Sequence, residues 1–315
     1  MSDHTPGPCP TALLSRVTNV YAGALHDRAG QVRLDAETLR ARALGPDARF
    51  LVMWRGLHLV DDAGLVRFCR EDIGAYDDDS CVFLGLSAAD AMFALDLSDH
   101  TEPPTLPRGT FEDIRPLAAS LPEGDAALVA QARGMAHWLR MHRFCGRCGA
   151  ANLRAEGGHK LVCSAEPKHV AFPRTDPVVI MLVRHAERAL LARGTRFPPE
   201  RRTLSALAGF VEPGESAEEA VAREVHEETG LRVGDICYHS SQPWPFPGSL
   251  MLGFTAVARD DALTLDPTEI AEARWLSRAD LRARRDEDFT LPGPAAIARR
   301  LIHDWLIEDG GPGLF

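Results

Sequence analysis

The chain is expected to fold as an α+β protein, a mixed sheet with helices packed on it. Three observations predict this. Short apolar runs bounded by Gly, Pro and Asp recur along the chain. Two other segments, one near the middle and one near the end, space their apolar residues at the helical period. A third helix is signalled by its caps rather than by its apolar face. With 315 residues there is room for two domains with their own cores. The hydrophobic share of 45% and charged share of 25% are ordinary for a soluble globular protein.

Residues 1 to about 120 carry strands, of which Phe50–Trp54 and Cys81–Gly85 are the clearest, separated by Asp/Gly clusters. Asp77–Asp79 reads as a solvated turn, and the Pro-rich stretch from Glu102 to Arg108 as a connection. From Asp125 to about His142, Leu128, Ala132, Met135 and Leu139 mark a helix. Val178–Val183 has the continuous apolar character of a buried strand, and Arg188–Arg193 is placed to pair with it as a hairpin. Leu250–Arg259 and Glu272–Leu276 read as further strands. Pro294 to Ile307 is a helix by the spacing of Ile297, Leu301, Trp305 and Leu306, with Pro294 in its first turn. No internal repeat or low-complexity tract is present. No run reaches the length of a membrane span, and the first eight residues have neither a basic nor an apolar region, so the chain is expected in the cytoplasm. Seven cysteines in that setting argue for reduced thiols or metal ligands over disulfides.

The segment from Gly209 to Leu231 carries the most chemistry. Ser216 and Glu219 form a capping box, which starts a helix at about Ala217, and Gly230 stands where a left-handed residue would stop it. Val221 and Val225 lie one turn apart and face the core. Glu224 and Glu228, also one turn apart, run along the edge of that stripe, with Glu215 and Glu227 nearby. Two carboxylates so placed do not both stay ionised cheaply unless a cation lies between them, and hard oxygen ligands suit Mg²⁺ or Mn²⁺. The competing reading is a solvated acidic face, and the glycine loop, the edge position and the fixed spacing all disfavour it. His226 reads as surface. Ten residues further on, Ser241-Gln242-Pro243-Trp244-Pro245-Phe246-Pro247-Gly248-Ser249 sets three prolines around two aromatics. Such a rigid loop either offers Trp244 or Phe246 as a platform for a base, with Gln242 and Ser249 as polar contacts, or packs both rings into the core.

The segment Gly209–Leu231 resembles the Nudix box at all its fixed positions, Gly209, Glu215, Arg223, Glu224, Val225, Glu227, Glu228, Gly230 and Leu231. The proline–aromatic loop is similar to the signature of the NADH pyrophosphatases, the NudC type within that superfamily. The resemblance is strongest from Phe144 to about Leu301. It implies a Nudix α/β/α sandwich with a mixed sheet at residues 173–308, preceded by a zinc-ribbon-like segment at 141–172 and a smaller α+β N-terminal domain at 1–140. It implies metal-dependent hydrolysis of the diphosphate of NADH or NAD⁺ to AMP and a nicotinamide mononucleotide, by a homodimer. Glu224, Glu228, Glu269 and the Ala208 carbonyl would hold Mg²⁺ or Mn²⁺, and Glu227 would bind metal or orient water. Arg223 would steady Glu215. Phe172, Trp244, Phe246 and a backbone contact at Ala298 would meet the substrate.

The cysteines match the family's ribbon only in part. Cys145, Cys148 and Cys163 have its spacing, but the fourth position is Glu166, in a loop about one residue longer than usual. Two readings stand: zinc held by the three thiolates with Glu166, His169 or His159, or no zinc and ordinary thiols. The net charge of −10 makes bound cations the source of positive potential for a diphosphate. It also argues against a broad nucleic-acid footprint. Removal of an NAD cap from RNA breaks the same bond and is the alternative activity. A non-catalytic NAD(H)-sensing protein is the alternative of another class, and it conflicts with the intact set of box glutamates.

Overall fold

Residues 18–76, 80–88, 90–198, 200 and 202–315 are described in a computed structural model. The Asp77–Asp79 turn and the first eight residues lie outside the described residues. By its internal contacts the chain divides into two units. One, here the N-terminal unit, is Val20–Thr175 with Pro243–Ser249, and the other, the C-terminal unit, is Asp176–Gln242 and Leu250–Phe315 with residues 18–19.

The N-terminal unit contains α1 (Ala36–Leu44), β1 (Ala48–Trp54), β2 (Leu57–Asp61), β3 (Gly64–Leu65), α2 (Arg70–Ile73), β4 (Cys81–Ser87), β5 (Asp90–Asp96), β6 (Thr110–Glu112), α3 (Ile114–Leu117) and α4 (Asp125–Met141). The strands form one sheet in the order β3-β2-β1-β5-β4, with β6 added to β2. β1 and β5 pair parallel, Phe50 opposite Phe93. Alternate residues of these strands supply two apolar layers. Leu51, Met53, Met92 and Ala94 pack with Leu128, Val129, Ala132 and Leu139 of α4, and Phe50, Val52, Phe93 and Leu95 pack on the other face with Leu39 of α1. A small antiparallel sheet follows, β7 (Asn152–Ala155), β8 (Lys160–Cys163) and β9 (Val170–Ala171), with Leu153, Val162 and Val170 in line across it.

The C-terminal unit comprises β10 (Asp176–His185), β11 (Arg188–Gly194), β12 (Leu207–Phe210), α5 (Ala217–Thr229), β13 (Val233–Trp244), β14 (Ser249–Ala258), β15 (Ile270–Ser277), α6 (Arg278–Ala283) and α7 (Ile297–Ile307), with Pro243 and Trp244 of β13 and Ser249 of β14 counted in the N-terminal unit. The sheet order is β13-β14-β10-β11-β15, with β12 paired to β10. Val179, Met181 and Val183 face α5 through Ala220, Val221 and Val225, while Ile180 and Leu182 face α7 through Leu301, Ile302 and Trp305. The continuous apolar run is thus buried on both sides, which makes an α/β/α sandwich. Each such fully buried aliphatic side chain stabilises the fold by about 1.5–3 kcal/mol. Two expectations shift. The last helix starts at Ile297, not at Pro294, because the Gln242 side chain accepts the Ile297 N–H (2.9 Å) and supplies the cap. The proline–aromatic segment is the end of the β13–β14 hairpin rather than a free loop. Among the described residues no helix is long and apolar enough to cross a membrane.

Candidate metal and substrate site

Local chemistry places the acidic side chains. Ser216 and Glu219 cap α5 reciprocally, and Gly230, at φ 74°, ends it. With Ala220, Val221 and Val225 buried against the sheet, the helix can present Glu224 and Glu228 at the edge of the core. Gly209 on β12 then has a steric task. A Cβ there would fall 1.8 Å from the Glu224 Cδ, so only glycine lets the strand pass this close to the helix.

Arg223 organises the surrounding acids. Its guanidinium donates to both carboxylate oxygens of Glu215 (2.6 and 2.9 Å), to Glu224 and Glu227 (2.9 Å each), and to the Phe210 carbonyl. The Arg223 bond, with help from the Glu212 N–H, holds the Glu215 carboxyl down at about 2. Glu228 is the opposite case. It is 7% exposed, and its Oε2 has no hydrogen-bond partner among the described residues. Burial, then the charges of Glu224 and Glu269, push its carboxyl up to about 8. Burial likewise raises Glu224 despite its bond to Arg223. Glu269 is exposed and belongs to a turn in which Asp266 Oδ1 accepts from the N–H and hydroxyl of Thr268. That turn is pinned to the end of α5 by Asp266 N–H donating to the Glu228 carbonyl (3.1 Å).

An unpartnered buried carboxylate oxygen beside two further carboxylates is a costly arrangement without a cation. The donors are all oxygen, which fits Mg²⁺ or Mn²⁺. Glu224, Glu228 and Glu269 are brought together electrostatically, and Ala208 directly precedes Gly209 on β12. Glu227 is exposed and engaged by Arg223, and His226 is exposed as expected. Spacing alone did not reveal Arg196, a cation that offsets the charge on Glu228, or Thr195, whose N–H and hydroxyl bind the carbonyls of Glu269 and Thr268 (2.8 Å each).

The thiol cluster is equally specific. One donor atom each from Cys145, Cys148, Cys163 and His169 lies within 4.8 Å of the others. Donors at the corners of a tetrahedron with zinc–sulfur bonds of about 2.3 Å would stand about 3.8 Å apart. The Cys148–Cys163 and Cys145–His169 Nδ1 separations are 3.3 and 3.4 Å. The N–H groups of Arg147 and Cys148 lower the Cys145 thiol to about 6, toward the thiolate that zinc needs. Of the three candidates for the fourth ligand, the fold brings in His169. The Glu166 side chain is 76% exposed and lies 3.9 Å from Lys168 Nζ, and His159 Nε2 donates to the Phe83 carbonyl.

The substrate candidates divide. Gln242 is 1% exposed, and its amide donates to the Ala295 carbonyl while its oxygen takes the Ile297 N–H, so both ends of the amide are engaged at the start of α7. Phe246 packs against the α4 layer, with the Arg133 guanidinium 4.6 Å from its ring centre. Trp244 is half-buried, Pro245 buried and Pro247 exposed, with Pro243 and Ser249 between these extremes. Phe172 is 60% exposed. Ala298 is the second residue of α7, where N–H groups lack helical partners.

Comparison with known proteins gives three domain matches: a NUDIX domain at residues 173–295, an NADH pyrophosphatase-like rudimentary NUDIX domain at 47–138, and an NADH pyrophosphatase zinc ribbon domain at 140–166. The NAD-capped RNA hydrolase NudC of Mycobacterium bovis is 37% identical over 307 residues, covering 93% of this chain and 94% of the relative. Nudix hydrolase 19, chloroplastic, of Arabidopsis thaliana is 39% identical over 321 residues, covering 83% and 72%. The NAD-capped RNA hydrolase NUDT12 of Macaca fascicularis is 44% identical over 204 residues, covering 61% of this chain and 44% of the relative. The chain therefore spans less than half the length of that primate protein.

Proposed function

Because the chain belongs to the NudC-type Nudix hydrolases, we propose that it hydrolyses the diphosphate of NADH, and more weakly of NAD⁺. The products are AMP and the reduced or oxidised nicotinamide mononucleotide. Water adds across the central anhydride: a new P–O bond forms at one phosphorus and the bridging P–O bond breaks. The observation that carries this reading is the buried, unpartnered Glu228 carboxylate beside Glu224 and Glu269. These residues and the Ala208 carbonyl would hold the divalent cation. When bound, it supplies charge neutralisation at the diphosphate oxygens and acidifies the attacking water. Arg223 keeps the Glu224 and Glu227 carboxylates in fixed orientation, so little reorganisation is needed during reaction. Trp244, half-buried at the end of β13, offers a ring for stacking a base.

Removal of an NAD cap from RNA is a second reading, favoured by the names of the mycobacterial and primate relatives. Chromatography of products from NADH, NAD⁺ and NAD-capped RNA, each with Mg²⁺ or Mn²⁺ at one salt concentration, tests both. AMP and reduced mononucleotide in equal amounts from NADH are expected. Free nicotinamide, or no cleavage, contradicts the assignment. A homodimer in the cytoplasm completes the proposal. The exposed apolar line of Leu153 and Val170 across the small sheet supports self-association, and light scattering that finds only monomer would refute it.

A further inference from the structure

The end of the β13–β14 hairpin is poorly equipped to hold its own shape. Pro243, Pro245 and Pro247 have no N–H, so three positions in five donate nothing to a ladder. The Phe246 N–H is used locally, on the Trp244 carbonyl (2.8 Å). What fixes this segment comes from elsewhere in the N-terminal unit. Arg133 of α4 donates through Nε to the Pro245 carbonyl (3.2 Å) and through Nη1 to the Gly56 carbonyl in the β1–β2 turn. Its guanidinium carbon lies 4.6 Å from the Phe246 ring centre, and that of Arg115 lies at 5.5 Å. Tyr21, 1% exposed, meets both rings edge-on, at 5.9 Å from Trp244 and 5.6 Å from Phe246, and the two rings are themselves 5.2 Å apart.

Arg133 is an expensive choice for packing alone. Burial lowers its pKa, and among the described residues it makes no salt bridge to a carboxylate, since the nearby Asp113 is paired with Arg115. A planar fork that bonds two carbonyls and covers a ring does what neither Lys nor an apolar side chain can. We propose that Arg133 is a positioning residue for substrate recognition, clamping the Pro245 turn and Phe246 so that Trp244 is held ready for a base. This rests on the reading of the hairpin as the aromatic platform. The clamp joins α4, the β1–β2 turn and the end of the hairpin, all within the N-terminal unit.

The test is a KM and kcat comparison on NADH for Arg133→Met, Arg133→Lys, Trp244→Ala and the Arg133→Met/Trp244→Ala double variant, all with intact zinc content and cooperative unfolding. Both Arg133 variants should raise KM by about tenfold with kcat changed by less than about threefold, and the double variant should be no worse than Trp244→Ala. Gly56→Ala is the second route if the Arg133 variants do not fold. Its Cβ would come within 3.2 Å of Arg133 Nη1, and it should raise KM in the same direction. If Trp244→Ala raises KM while the Arg133 or Gly56 variants do not, or if the effects multiply in the double variant, the clamp is wrong and the platform stands. An unchanged KM in Trp244→Ala overturns the platform, and the clamp with it.

Discussion

The two large sheets meet the same packing problem and differ in how they treat buried charge. β1 and β5 in one unit, and β10 in the other, alternate their side chains between two apolar layers. In the N-terminal unit three buried polar side chains are paired or neutral. Asp125 is bonded to Arg67, Gln131 donates to the Leu84 carbonyl, and burial, then the charge of Arg133, keeps His58 uncharged with its pKa at about 3. The C-terminal unit leaves Glu228 buried, with one oxygen unpartnered and two other acids beside it. Packing accounts for both sheets, and none of those three groups in the first calls for a ligand. The second keeps an arrangement that stability would remove, which is the mark of a site built for a ligand.

Removing that difference should produce the largest effect. Glu228→Gln keeps size and helix propensity while deleting one charge, so folding should persist on the untouched Val221/Val225 face. NADH hydrolysis should fall by a factor on the order of 10² or more. A folded variant with near-parent rate in a steady-state assay would show that the unpaired acid has no catalytic part. Next in size is the thiol cluster in the N-terminal unit's ribbon. Purified protein should contain about one zinc per chain by elemental analysis. Cys145→Ser should lower both zinc content and the thermal midpoint, while Mg²⁺ still supports turnover. Protein isolated without chelators and free of zinc would contradict this.

The smallest effect concerns His58. Its ring is wholly buried, neither nitrogen has a partner among the described residues, and Arg133 and Asp113 are the charges that face it. Its folded pKa lies below the ordinary value of 6.5, so the unfolded chain binds the proton first as pH falls. Stability from this group is therefore full above pH 6.5 and declines toward pH 3. His58→Leu should flatten that part of the pH dependence of the urea midpoint, and an unchanged slope would mean that His58 does not contribute.

The elements with strong local signals were legible from residues alone. The capping box and Gly230 bounded α5 correctly, the Leu128–Leu139 period marked α4, and the apolar run at Val178–Val183 named the central strand. What escaped depends on distant partners. The ribbon's fourth ligand was open among Glu166, His169 and His159 until β8 and β9 paired, with the Cys163 N–H on the His169 carbonyl (2.8 Å). Gln242 reads as a ligand contact in sequence, and its bonds to Ala295 and to Ile297 of α7, more than fifty residues on, could not be read from spacing. Strands of two or three residues, such as β3, β6 and β9, are too short to show a period.

The central claim is that the buried Glu228 of α5, with Glu224 and Glu269 beside it, forms a cation site, and Mn²⁺ titration in the absence of substrate, followed by electron paramagnetic resonance, tests it most directly. The parent protein should take up Mn²⁺, and Glu228→Gln should bind it at least tenfold more weakly while keeping its fold and zinc content. Equal Mn²⁺ affinity in the two proteins would contradict the account.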